Sequence, residues 1–232
     1  MNNNLIQIKL KERLNKLASF DFDNLECWQI AEAFNKAQLE WTRRMVYGIN
    51  TRKEGSEQST GLVDDLRVLL KDDHVKPVHK TEYYEHVLPS DYLYYVRTDT
   101  WAEKECCPKK KMFVYEVEEA NIGILLGNHT KKPSFEWSET LATLIGDKLR
   151  VYTNDEFKIV DTKLTYYRKP KEIQIVGCIN PSTGTAYTTE QTCEFKSDIA
   201  EIILDEAASI LAGDLESMNQ YQRENQAVQT NS

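Results

Sequence analysis

Residues 148–215 constrain this chain more than any other stretch. The segment opens with Lys-Leu-Arg-Val-Tyr-Thr, turns at Asn154-Asp155, and continues as Phe-Lys-Ile-Val. A third run, Lys-Leu-Thr-Tyr-Tyr-Arg-Lys-Pro, follows. Leu149 and Val151, Phe157 and Ile159, and Leu164 and Tyr166 alternate with polar residues, the period of half-buried strands. Asn and Asp both tolerate positive φ, so Asn154-Asp155 predicts a tight turn between strands. Pro170 cannot donate to a ladder and ends the third strand at Lys169. The segment closes with a helix over 197–221, marked by Ile199, Ile202, Ile203, Ala207, Ile210, Leu211 and Leu215 and capped by Ser197 and Asp198. The expectation is a small antiparallel sheet with a helix laid against it.

The N-terminal part is helical in pattern. Leu5, Ile8, Leu14 and Leu17 among Lys and Glu predict a short amphipathic helix over 3–18. Asp23 and Glu26 have capping-box spacing. A long helix then runs to about residue 50, with Leu25, Ile30, Phe34, Ala37, Trp41 and Met45 on one broad stripe. About 27 residues at 1.5 Å each make a rod of roughly 40 Å, which wants neighbours along its whole side. Residues 52–61 are a polar, glycine-bearing loop. Leu62, Val63, Leu66, Leu69 and Leu70 predict a further helix ending near Asp72-Asp73. Between 75 and 137 the pattern is irregular: strands over 78–88, 92–97 and 112–117, an ambiguous run over 118–126, and an extended piece over 135–143 that packs Trp137 inward. Ile173, Ile175 and Val176 predict one more short strand. The fold expected is α+β, with long N-terminal and C-terminal helices packed as a bundle and a small antiparallel β-sheet region inserted between them. Residues 1–73 form the N-terminal helices and 74–194 the β-rich region. Residues 195–221 form the C-terminal helix and 222–232 a polar tail, all in one structural unit.

Composition excludes more than it selects. A hydrophobic share of 41% and a charged share of 28% are those of a soluble globular chain, and no run approaches the roughly 18 apolar residues of a membrane span. The start lacks the apolar core of a signal peptide, so synthesis in the cytoplasm is expected. A net charge of −8 argues against a broad grip on a phosphate backbone. Cys27, Cys106, Cys107, Cys178 and Cys193 fit no disulfide framework and predict reduced thiols. Cys106-Cys107 lacks the further ligands that zinc needs. His79 and His86, read on one strand, face opposite sides and cannot share a metal; His74 and His129 complete the histidines. Asp64-Asp65 and Asp72-Asp73 flank a helix as solvated pairs. Arg43-Arg44 and Lys109-Lys110-Lys111 are the basic clusters, and the lysine run is a solvated loop or a contact for DNA or an acidic partner. No Gly-x-Ser-x-Gly and no glycine-rich phosphate loop is present. No catalytic, cofactor-binding or metal-binding residue is predicted, and an interaction protein is favoured over an enzyme or a nucleic-acid binder.

The order of parts resembles the head–tail connector proteins of tailed bacteriophages, most closely neck ring proteins of crAss-like phages. The residues that carry the likeness include Ala33-Phe34-Asn35-Lys36-Ala37-Gln38-Leu39-Glu40-Trp41 with Arg43-Arg44, and Leu88-Pro89-Ser90-Asp91-Tyr92-Leu93. Lys132-Pro133-Ser134, Leu149-Arg150-Val151-Tyr152, Leu164-Thr165-Tyr166-Tyr167-Arg168-Lys169-Pro170 and Ala212-Gly213-Asp214-Leu215-Glu216 complete it. The resemblance implies a virion protein without catalytic activity or cofactors. It implies assembly as a homo-oligomeric ring, typically twelvefold, at the head–tail junction. The ring would extend the portal channel, contact the portal protein and other neck or tail rings, and let DNA pass through its lumen without sequence-specific binding. The alternative is a small cytosolic enzyme or nucleic-acid-associated protein with no recognisable site.

Overall fold

The computed structural model describes residues 1–17, 25–47, 65–105, 107–180 and 183–215. The chain divides into two compact units, Leu69–Lys169 and Met1–Val68 with Pro170–Ser232.

The first unit is a sheet of eight strands: β1 (Leu70–His74), β2 (Val78–His79), β3 (Tyr83–Val87), β4 (Tyr92–Lys104), β5 (Cys107–Glu116), β6 (Glu139–Ile145), β7 (Lys148–Tyr152) and β8 (Lys158–Arg168). Their order is β1-β8-β4-β5-β6-β7-β3-β2, a mixed sheet curled into a half-barrel. Neighbours are antiparallel except β5 and β6, which are parallel and joined through a helix, α3 (Glu119–Leu126). A parallel pair needs such a crossover, whereas an antiparallel pair can close on a hairpin. β4 slips register against β8 at three points and against β5 at one, and each such bulge adds bend and twist. The inner face is filled by Tyr84, Ala102, Met112, Ala142, Val151, Leu164 and Tyr166. Both edges are unattractive templates for another strand. β2 has two residues, and β1 carries Lys71, Asp72 and Asp73.

This corrects the expected fold. The sheet is neither small nor all antiparallel, and helix and strand contribute about equally. The turn at Asn154-Asp155 forms as predicted, with φ of 50° and 58°. Its role differs: β7 pairs with β6 and β3, and β8 with β1 and β4, so the turn carries the chain across the curled sheet instead of closing a hairpin. Phe157 and Ile159 follow it into the core, where the Ile159 backbone hydrogen-bonds the Tyr84 hydroxyl from β3. The second and third sequence runs are one strand, β8, ending at Arg168. Local alternation specifies a strand but not its partner, because pairing here depends on curl. The run 78–88 splits into β2 and β3. Asp72-Asp73 lies in β1, not at a helix end; a 3-10 turn at Arg67–Leu69 precedes it, and the expected helix over 62–64 lies outside the described residues. Trp137 points outward, 80% exposed. In place of the short strand around Ile173–Val176 there is a single bridge, Gln174 with Gln191.

The second unit contains α1 (Asn3–Leu17), α2 (Cys27–Tyr47) and α4 (Ser197–Leu215). The predicted cap at Asp23, the loop over 52–61 and the tail over 222–232 lie outside the described residues. At the start of α2 the Glu26 N–H donates to Gln29 Oε1, a reciprocal cap three residues after the predicted one. α4 buries Ile199, Ala200, Ile203, Leu204, Ala207, Ala208 and Leu211 against α1 and α2. Three alanines let it sit close to both. Its acidic residues reach out on each flank. Glu201 and Asp205 hold Lys9 and Arg13 of α1, and Glu206 holds Arg44 of α2. Fully burying Ile203 or Leu204 contributes about 1.5–3 kcal/mol each, so a charge at either position would break the unit.

The irregular segment from Pro170 is held by helix side chains that act as a strand would. Asn35 Oδ1 accepts from the Ile173 N–H at 2.8 Å, and Gln38 Nε2 donates to the Lys171 carbonyl at 3.0 Å. Asn3 Nδ2 donates to the carbonyls of Gln174 and Gln191. Cys27 and Cys178 form a disulfide with a Cα separation of 5.8 Å. This corrects the expectation of reduced thiols throughout. The pair is 151 residues apart in sequence, and only the docking of the segment after Pro170 on α2 brings it together.

Candidate functional site, an exposed apolar face of the sheet

Strand register sorts the sheet into two faces. Thr100 lies between Met112 and Thr162, and Val151 between Ala142 and Tyr84; these rows face the core. The opposite face has one row with Asp161, Trp101 and Lys111. The next holds Lys163, Asp99, Phe113 and Glu139, and a third holds Tyr115, Leu141, Tyr152 and Tyr83. Helix α3 lies on this second face: its Glu119 accepts from the Tyr152 hydroxyl at 3.4 Å and pairs with Arg150 at 3.8 Å. It covers the part built by β6 and β7, where Leu141, Thr143 and Tyr152 are buried. β5 beside it stays open.

The open strip is apolar. Phe113 is 64% exposed, Tyr115 52%, and Ile124 on α3 74%. The Phe113 N–H donates to the carbonyl of Ser138, the residue after Trp137, at 2.6 Å, and Trp137 is 80% exposed. Ser138 holds φ at 61°, a left-handed conformation that costs a non-glycine residue about 1 kcal/mol or more. No residue of α3 is buried, although its sequence is Glu-Ala-Asn-Ile-Gly-Ile-Leu-Leu. A hollow of about 310 Å³ lies between the end of β5 and α3, lined by Val117, Glu118, Asn121, Ile124 and Leu125. Taking about 200 Å² for each large side chain, Phe113, Tyr115, Ile124 and Trp137 leave on the order of 500 Å² of apolar surface to water. Exposed apolar surface marks interaction sites where it is contiguous, as it is for Phe113 and Tyr115, two residues apart on one face of β5.

Lys109 and Lys111, placed by the sequence in a solvated loop, stand on β5 on the same face, each 5.9 Å from the Trp101 ring. Lys111 also pairs with Asp99 at 2.9 Å. Lys110 points the other way and stacks on Phe135 at 4.2 Å. Register decides this: consecutive strand residues alternate faces.

The other candidate residues are dispersed. His74 on β1 is 3.0 Å from Asp161, and His79 on β2 packs against Tyr84. His86 is fully buried on β3, so His79 and His86 belong to different strands. His129 is exposed in the turn after α3. Asp72 is held by Lys163 and the Thr165 hydroxyl, both at 2.6 Å, which lowers its pKa. Asp73 joins Lys71, Asp91 and Tyr166 in a polar knot. The Tyr166 hydroxyl donates to Asp91 at 2.7 Å, Lys71 pairs with both carboxylates at 3.1 Å, and burial beside Asp91 pushes the phenol up to about 12. The knot is fully partnered and ties β1, β8 and the turn before β4. Asp65 meets Lys196 at 3.4 Å, while Asp64 and Cys106 lie outside the described residues. Cys193 is buried, with its thiol pushed up by that burial. A cleft of about 820 Å³ in the sheet unit is rimmed by His79, Glu103, Glu105, Cys107, Asp155 and Lys158. Among the described residues no group of three or more His, Cys, Asp or Glu is placed to hold a metal ion. No protein-family model matches the chain, and no curated protein matches it significantly.

Proposed function

We propose that this chain is a virion structural protein, a ring component of the head–tail connector of a tailed bacteriophage that extends the portal channel and docks tail components. The observation that carries an assembly role is the open strip of Phe113, Tyr115, Ile124 and Trp137. Leaving that much apolar surface in water is unfavourable by about 25 cal/mol per Å², and a protein partner relieves it. The ordered resemblance of the sequence to neck ring proteins names the kind of assembly. Residues 69–169 hold 16 Lys and Arg against 17 Asp and Glu, so all but one of the eight net negative charges lies elsewhere. That distribution disfavours a grip on DNA and suits a wall that DNA slides past.

The test is native mass spectrometry of the purified protein, alone and mixed with the portal protein of the same particle. A closed ring, formed alone or on the portal, is expected. A monomer that never binds the portal would overturn the reading. The enzyme alternative has one feature in its favour, the wide cleft beside His79 and Cys107. A small molecule turned over by the pure protein, with loss of turnover on Cys107→Ser, would replace the ring proposal.

A further inference from the structure

We infer that the strip on β5 receives helix α1 of a neighbouring copy of this chain, head to tail around the ring. The inference rests on the reading that the chain assembles as a ring, and it deepens that reading by naming both surfaces of the contact between neighbours. Phe113 and Tyr115 stand two residues apart on one face of β5. Val117 continues their line. Its N–H donates to the Ala142 carbonyl of β6 at 2.9 Å, and it lines the hollow together with Ile124 and Leu125 of α3. Two carboxylates border this ridge. Glu139 lies opposite Phe113 and accepts from the Tyr115 hydroxyl at 3.3 Å, and Glu118 lines the hollow. Neither has an ion-pair partner among the described residues, whereas Asp99 has Lys111 and Glu119 has Arg150.

Helix α1 is the counterpart. In a chain of net charge −8, it sets Lys9, Lys11, Arg13 and Lys16 against Glu12 alone. Ile6, Leu10 and Leu14 are buried, but Leu5 and Ile8 on the opposite side are 42% and 63% exposed. They are one turn apart and form one apolar spot. Lys9 and Arg13 are held by Glu201 and Asp205 of α4, whereas Lys11, one turn past Ile8, has no ion pair among the described residues. An apolar spot with an unpaired cation at its rim therefore meets an apolar ridge with unpaired carboxylates at its rim. The lengths agree: the 15 residues of α1 make about 22 Å, and β5 from Lys109 to Val117 runs about 26 Å. The charges set the direction. Leu5 lies toward the hollow, Lys11 beside Glu139, and Glu12 toward Lys109, which stands at the other end of the strip against the Trp101 ring. The spot belongs to the helical unit and the ridge to the sheet unit, so the contact is heterologous. Every pair leaves one α1 and one strip unused, and the contact propagates until its rotation closes a ring. In a closed ring each copy is held on both sides, so a small contact suffices.

Mixing two variants of the full chain tests this by sedimentation velocity. Leu5→Ser with Ile8→Ser removes the spot, and Phe113→Ser with Ile124→Ser removes the ridge. All four side chains are exposed, so far-UV circular dichroism should stay unchanged. Each variant alone is expected to be monomeric and to complete no ring on the portal. An equimolar mixture is expected to form a one-to-one pair and nothing larger, because one intact α1 and one intact strip remain between the two chains. Lys11→Glu and Glu139→Lys should each weaken association about tenfold, and the two combined should restore it. A mixture that stays monomeric at the highest soluble concentration overturns the contact; if the wild-type chain still closes rings, the ring reading stands without it. Pairs in the mixture with no ring from the wild-type chain, alone or on the portal, keep the contact and overturn the ring. Dimers of the variant lacking the spot would show strip meeting strip, and rings completed by either variant would show the contact to be dispensable; each overturns the inference.

Discussion

His86 shows what the fold demands of one residue. Its Nδ1 lies 3.3 Å from the Leu149 carbonyl, and its Nε2 has no partner among the described residues. Burial lowers its pKa to about 4 from 6.5, because the imidazolium has lost its water; the Leu149 carbonyl opposes this only in part. The unfolded chain therefore binds a proton that the folded one refuses. The stabilisation is fully present above pH 6.5 and is lost as pH falls from 6.5 to about 4. Its ceiling is on the order of 3 kcal/mol, from about 1.36 kcal/mol per pH unit. Urea midpoints measured from pH 7.5 to 4.5 should fall steeply, and His86→Leu should flatten the curve over that window. Equal slopes for both proteins would show that His86 is solvated. Asp72 and Asp91, whose pKa values are lowered, add acid lability below that range.

At the scale of elements, the helical unit depends on side chains standing in for a strand. Asn35 binds both the N–H and, at 3.4 Å, the carbonyl of Ile173, and accepts from Gln38. Asn35→Ala leaves buried backbone groups of Ile173 unpaired and should cost about 1–3 kcal/mol. Asn35→Asp keeps the acceptor for the Ile173 N–H and should cost less; chemical denaturation of the two variants checks the order. Periodicity marked α1, α2 and α4 as helices, but it misjudged the buried side of α1, where Leu5 and Ile8 are exposed and Ile6, Leu10 and Leu14 are buried. It also marked β7 and the turn at Asn154-Asp155. Asn35, Gln38 and Asn3 gave no such signal, since a polar residue on an apolar stripe looks the same whether it meets water or a backbone. The same limit hid the apolar strip. Phe113 and Tyr115 fall in the strand predicted over 112–117, and only the placement of α3 over β6 and β7, leaving β5 bare, puts them in water. Trp137, expected to pack inward, is 80% exposed. Cys27 and Cys178 needed a contact across 151 residues that no spacing announces.

At the scale of the molecule, the sheet unit is one unbroken insert, Leu69–Lys169, between two stretches that together make the helical unit. Its first and last strands pair: Leu70 lies opposite Tyr167 in the β1–β8 ladder. Paired Cα atoms in such a ladder are about 5 Å apart, so the chain enters and leaves the insert at nearly one place. The insert has its own core, from Val75 to Tyr166, and its own polar knot of Lys71, Asp91 and Tyr166 at the crossing point. Among the described residues, every member of that core lies within the insert. Residues 69–169 expressed alone should therefore fold, with a cooperative thermal transition and the same loss of stability between pH 6.5 and about 4 that His86 imposes on the full chain. Circular dichroism across that range measures both. A piece that stays unfolded at every pH would mean that the sheet needs the helices to close its curl, and the division into two units would then describe contacts without describing stability.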